Sequence, residues 1–163
     1  MRQLLVLFSL ALFCSMAYAK PRPPDRDEEA IRGAALDYIE GWYEGSVERM
    51  TRAVHPELAK RIVTNEAGVS RVDQMGASTL VANVRRGGGR DTPKARQQKE
   101  ITILDRYENV ASVKVVASDW IDYLHLAKVD GRWVIVNVLW ERKPKRQEAP
   151  ASSPVPPSPL SPR

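Results

Sequence analysis

Between residues 120 and 140 the chain reads WIDYLHLAKVDGRWVIVNVLW, two runs of period-two alternation on either side of Asp130-Gly131. Asp-Gly is the turn chemistry of a two-residue hairpin, so this stretch predicts two antiparallel strands in a defined register. With Val129 opposite Arg132, Leu126 falls opposite Ile135, Leu124 opposite Asn137 and Asp122 opposite Leu139. One face then carries Trp120, Asp122, Leu124, Leu126, Trp133, Ile135, Asn137 and Leu139. The other carries Ile121, Tyr123, His125, Ala127, Val134, Val136, Val138 and Trp140. Asp122 and Asn137 are isolated polar groups on an apolar face.

Upstream the period is different. Ile31, Ala34, Ala35, Tyr38, Ile39 and Trp42 recur at helical spacing, after an acidic start at Asp25, Asp27, Glu28 and Glu29 that suits a helix N-terminus. Gly45 stops this helix and Ser46 caps the next, whose stripe is Val47, Met50, Thr51 and Val54. Pro56 forbids continuation and predicts a further turn through Glu57, Leu58, Ala59 and Lys60. A third helix is expected over 78–86, with Leu80, Val81 and Val84 inward, ended by Gly87-Gly88-Gly89. From Glu100 the period becomes two, giving strands on either side of a turn at 107–109 before the hairpin. About three helices followed by a four-stranded antiparallel meander is an α+β fold with its helices on one sheet face. Those helices cover one face only. The second apolar face calls for another layer, and a second copy of the chain, sheet against sheet, supplies it with two-fold symmetry.

The ends do not belong to this fold. Residues 1–19 have the pattern of a secretory signal: Arg2, an apolar run over 4–16, and Ala17-Tyr18-Ala19 ahead of Lys20. The run is short of the roughly 20 residues that span a bilayer. Export to the periplasm or beyond, with cleavage after Ala19, is therefore expected, with no transmembrane segment in the mature protein. The one cysteine, Cys14, leaves with the signal, so the mature core holds without disulfides. Residues 20–24 form a short proline-containing leader, 25–143 the domain, and 144–163 a tail with seven prolines that reads as disordered.

The formal charge of +5 is concentrated outside the domain. Arg2 lies in the signal, the leader and first turn (20–29) sum to −1, and the chain from Lys143 onward holds four Lys/Arg against one Glu. Residues 30–142 are left near +2. A basic tail on a nearly neutral domain is not a nucleic-acid footprint. Two histidines and no mature cysteine give no metal-ligand cluster. There is no Gly-x-Ser-x-Gly elbow, and the triple glycine follows a helix instead of leading into one. No cofactor site is expected.

The segments Tyr38-Ile39-Glu40-Gly41-Trp42-Tyr43, His55-Pro56-Glu57-Leu58, Ile103-Leu104-Asp105, Ala111-Ser112-Val113-Lys114-Val115, Asp122-Tyr123-Leu124 and Gly131-Arg132-Trp133-Val134-Ile135-Val136-Asn137 resemble the nuclear-transport-factor-2-like (NTF2-like) superfamily. They are similar to its exported bacterial branch described as putative lumazine-binding proteins. The resemblance spans about 29–142. It implies a conical domain with a pocket between helices and sheet, often dimeric, and no single activity, because the superfamily includes isomerases, cyclases, dehydratases and non-enzymes.

Against that background Asp122 is the candidate catalytic group: in related cones a buried carboxylate in an apolar cavity works as general base or acid. The alternative is a satisfied structural carboxylate. The candidate ligand-binding residues are Tyr38 and Trp42, four apart on one helix face, with His55, Trp120, Trp133 and Asn137. Each has a plain structural alternative: core for the aromatics, a helix-end role for His55, a bond to Asp122 for Asn137. His125, on the face away from Asp122, reads as an interface residue. Three readings stay open: a pocket for a small, flat or apolar ligand, a non-catalytic dimeric scaffold, and a cofactor-free proton-transfer enzyme of isomerase, cyclase or dehydratase type.

Overall fold

The computed structural model describes residues 25–144. The expected signal, leader and all of the tail beyond Pro144 lie outside the described residues. Helix α1 (Arg26–Glu44) begins where the Asp25 carboxylate accepts from the Asp27 amide, and ends at Gly45 in the left-handed conformation, φ 65°. Ser46 then caps α2 (Val47–Ala53) through its hydroxyl. These are the caps the sequence predicts.

The chain does not make a helical turn after Pro56. It runs into a long strand, β1 (Val54–Glu66), turns at Ala67-Gly68 and returns as β2 (Val69–Met75). Helix α3 (Ala77–Arg85) follows, close to the expected 78–86, then a single 3-10 turn at Lys94–Arg96. The meander is present as β3 (Lys99–Tyr107), β4 (Val110–Ala117), β5 (Trp120–Val129) and β6 (Arg132–Arg142). The sheet has six strands instead of the expected four, in the order β2-β1-β6-β5-β4-β3. Only β1 with β6 is parallel. Pro56 lies inside β1 between Val54 and Ala59, where the register against β6 shifts, so its missing N–H falls in an irregular part of the ladder.

The three helices lie against one face of this curved sheet. The core between them contains Ile31, Ala35, Ile39, Met50, Val84, Val113, Val115, Leu124, Leu126, Ile135 and Val138, all essentially inaccessible. Among the described residues no helix is long and apolar enough to cross a membrane.

The hairpin holds one correction with consequences for the site. Val129 pairs with Arg132 and Leu126 with Ile135 as expected, but then Val136 is bulged out and His125 pairs with Asn137. Beyond the bulge every β6 side chain changes face. Leu124 faces Val138 and Asp122 faces Trp140, inside. Asn137 and Leu139 turn to the outer face, where Leu139 is exposed beside Tyr123. The expected pairing of Asp122 and Asn137 on one face does not occur.

Candidate functional site

A cavity of ≈ 310 Å³ opens between the helices and the inner sheet face. Helix α1 contributes Tyr38 and Trp42, one turn apart. Met50 comes from α2, Leu80 and Asn83 from α3, Met75 from the end of β2. The sheet contributes Lys60, Trp120, Trp140 and, at the rim, Asp119 and Arg142. Trp42 and Trp120 meet edge to face, with ring centres 6.0 Å apart at 83°, so two walls of the cavity brace each other.

Trp42 is held from behind by the triple glycine. The Gly89 amide donates to the Trp42 carbonyl at 2.9 Å. A Cβ on Gly89 would stand 2.4 Å from Trp42 Nε1, and one on Gly88 2.8 Å from the Trp42 carbonyl oxygen. The residues that stop α3 are thus also those that let the following loop close on the aromatic wall.

The inner end of the cavity is polar and fully organised. Asp122 is completely buried; Lys60 and Tyr38 are 6% and 3% exposed. Lys60 Nζ donates to Asp122 Oδ1 at 2.7 Å and to the Tyr38 hydroxyl at 2.7 Å. Tyr38 in turn donates to Asp122 Oδ1 at 3.3 Å, and Trp120 Nε1 donates to Asp122 Oδ2 at 2.6 Å. The Lys60 ammonium also lies 4.6 Å from the centre of the Trp140 ring and 5.4 Å from that of Tyr38. Burial pulls the Lys60 amine below the ordinary lysine range, and the Asp122 charge opposes that pull. Burial, then the Asp122 charge, hold the Tyr38 hydroxyl well above the usual tyrosine value, so it stays a neutral donor.

Of the side chains singled out in the sequence, Tyr38, Trp42 and Trp120 line the cavity, and Asp122 is bonded to Tyr38, Trp120 and Lys60 beneath it. The other three stand elsewhere. Trp133 packs in the core and donates its indole N–H to Asp27 Oδ1 at 3.0 Å, near the start of α1. His55 Nδ1 accepts from the Glu57 amide at 3.1 Å, bracing the start of β1. Asn137, on the outer face, bonds Arg61 Nη1 at 2.8 Å and touches His125 Nδ1 at 3.2 Å.

Sequence reasoning missed Lys60 and Trp140. Lys60 falls in the helical turn that Pro56 predicts, although Leu58, Lys60 and Ile62 alternate with Ala59 and Arg61. That alternation is the strand signal. A register without the bulge places Trp140 on the outer face. Among the described residues no three His, Cys, Asp or Glu side chains gather as a metal site.

Comparison with known proteins agrees with this architecture. The family described as "Putative lumazine-binding" matches residues 26–141. An NTF2-like protein of unknown function from Methylobacillus flagellatus is 20% identical, with a TM-score of 0.57 over 76% of this chain and 97% of its own. One from Shewanella baltica is 16% identical, with a TM-score of 0.55 over 75% and 99%. A putative Ca/calmodulin-dependent kinase II association domain from Exiguobacterium sibiricum is 10% identical, with a TM-score of 0.52 over 76% and 98%. At these identities the structures speak for the fold alone. No curated protein matches the sequence. With the family match covering nearly all of the described domain, the chain belongs to the putative lumazine-binding family, and its fold is that of NTF2-like proteins.

Proposed function

We propose that this protein binds a small, planar, largely apolar molecule in the cavity and does not transform it. The observation that carries the reading is the cavity itself, walled by Trp42, Trp120 and Trp140 and open at one end. A cavity of about 150 Å³ accepts one benzene ring, so ≈ 310 Å³ gives room for a fused pair. It also falls at the lower end of the range of small-molecule sites, about 300–1,000 Å³. The family description supports the same class, since lumazine is a flat bicyclic heterocycle.

The state of Asp122 supports binding over proton transfer. A general base needs an oxygen within reach of the substrate. Here Oδ1 accepts from Lys60 and Tyr38, and Oδ2 from Trp120. The carboxylate positions Tyr38, Trp120 and the lysine.

The signal pattern of residues 1–19 supports action outside the cytoplasm. The outer sheet face, with Tyr123, Leu139, Val63 and Val72 exposed, supports pairing of two copies through it.

The test is native mass spectrometry of freshly purified protein, followed by calorimetry with flat bicyclic compounds. A retained small molecule, or one-to-one uptake lost in Trp42→Ala, is expected. No retained mass and no heat across the panel would reject the reading.

A further inference from the structure

We propose that two copies of this chain join edge to edge through β2, antiparallel about a two-fold axis at Val72, so that their six-stranded sheets run on into one. This contact is distinct from pairing through the outer sheet face and independent of what the cavity holds.

The sheet has two edges, β2 and β3, and they are finished differently. β3 is blunted in ways that discourage pairing. Its register against β4 breaks between Ile103 and Asp105. Arg32 reaches from α1 to donate to the Ile101 carbonyl at 3.0 Å, and Arg106 is drawn to Asp25 at 2.6 Å at the start of the same helix. β2 has neither bulge nor proline. Its seven residues pair with β1 without a break, so a regular row of backbone N–H and C=O groups lines its far side. Val69 and Val72 stand 61% and 63% exposed along it. Its two charges, Arg71 and Asp73, are opposite in sign, so they do not repel a copy that arrives in the complementary register.

The order of residues along β2 selects that copy. Ser70-Arg71-Val72-Asp73-Gln74 is complementary to its own reverse. In an antiparallel pair centred on Val72, Arg71 falls opposite Asp73 of the partner subunit, and symmetry makes this pair twice. Ser70 falls opposite Gln74 of the partner subunit. The side chains keep the capacity these pairs need. Asp73 accepts from Thr64 at 3.2 Å through Oδ2, one of its two oxygens. Arg71 has a partner within the chain, and its five N–H donors serve more than one acceptor. Gln74 accepts from Arg61 on Oε1 and keeps its amide donors, while Ser70 donates to Asn65 and keeps its lone pairs. The faces agree as well. Val72 lies opposite Val63 on the outer face, so the two Val72 side chains extend one apolar strip. Met75 lies opposite Lys60 on the inner face and lines the cavity. Val69 of the partner subunit comes to rest beside it, so each cavity has a wall braced by the other subunit.

Charge exchange along the edge tests the pairing. Asp73→Arg gives a strand with two arginines and Arg71→Asp a strand with two aspartates. Both positions are exposed, so each variant should keep the circular dichroism of the wild type. Self-association is measured by analytical ultracentrifugation. Either substitution alone sets like charges opposite each other twice, and should weaken association at least about tenfold. An equimolar mixture of the two variants restores both opposite-charge pairs. It should associate as tightly as the wild type, with native mass spectrometry showing a species that holds one chain of each kind. The doubly exchanged chain, Arg71→Asp with Asp73→Arg, should also associate like the wild type. A wild-type chain that stays single, variants that associate as the wild type does, or a mixture no tighter than its components would overturn the proposal. Unchanged association in both variants would do so while leaving pairing through the outer face intact.

Discussion

Lys60 and Asp122 reach each other across an intervening strand: β1 and β5 are separated by β6, yet their side chains meet at 2.7 Å on the inner face. Two strand spacings are about 10 Å, a gap the four-carbon stem of lysine closes. Both charges are buried, so each depends on the other. Lys60→Met should destabilise the fold by about 3–5 kcal/mol by leaving the carboxylate unpaired, and Asp122→Asn should cost a similar amount by stranding the ammonium. The double substitution should cost clearly less than the sum. Urea denaturation of the four proteins measures this coupling, and simple additivity would exclude it.

A second electrostatic cluster joins α1 to α2 and β3 and makes stability depend on pH in acid. Asp37 accepts from Arg52 Nε at 2.7 Å and Arg49 Nε at 3.0 Å, and Glu40 is bonded by Lys99 and Arg49. The Arg52 bond, reinforced by Arg49, holds Asp37 below its ordinary 3.8; the Lys99 bond, reinforced by Arg49, holds Glu40 below 4.5; partial burial opposes both. With folded values depressed, the unfolded chain takes up protons first as pH falls. The contribution is complete above the ordinary values, declines as pH drops through them, and is gone below the folded ones. The urea midpoint should therefore fall between about pH 5 and pH 3. That fall should be shallower in Arg49→Met and in high salt.

Much of this architecture is legible in the sequence because the signals are local. The helix caps at Asp25 and Ser46, the stop at Gly45 and the Asp130-Gly131 turn each depend on a few neighbouring residues. What escaped depends on partners far along the chain. Strand β2 is exposed along nearly its whole length and is joined to β1 through Ala67-Gly68, a weak hairpin signal whose alanine adopts φ 51°. β1 is a strand because β6 and β2 flank it; the alternation from Leu58 to Ile62 is short and follows the turn signal of Pro56, which masks it. The Val136 bulge is silent too, since Val134, Ile135, Val136 form an unbroken apolar run in which either register buries similar surface. That one extra residue exchanges Asn137 for Trp140 at the candidate site.

The exchange yields a sharp contrast between two substitutions on the same strand. Asn137→Ala removes bonds to Arg61 and His125 on the outer face and should leave binding of flat compounds in the cavity unchanged. Trp140→Ala removes a cavity wall and the aromatic surface under Lys60, and should weaken that binding at least tenfold, on the scale of lost aromatic and cation–π contacts. Calorimetry with one bicyclic probe on both proteins decides it. A loss with Asn137→Ala and none with Trp140→Ala would favour the unbulged register.

Two glycines test whether the loop after α3 shapes the cavity. Gly33 is exposed in α1 and an added Cβ would touch nothing, so Gly33→Ala should stabilise the protein by about 0.5–1 kcal/mol through helix propensity. At Gly89 the same methyl would stand 2.4 Å from Trp42 Nε1 and 3.2 Å from Tyr43 Cδ1. Either the loop lifts or the Trp42 ring moves off Trp120, its edge-to-face partner. Overpacking of this kind costs about 1–3 kcal/mol. Because the displaced ring is a cavity wall, Gly89→Ala should lower both thermal stability and affinity for a flat probe, while Gly33→Ala raises the first and leaves the second alone. Equal behaviour of the two variants in both measurements would mean that the triple glycine only ends a helix and does not hold Trp42 in place.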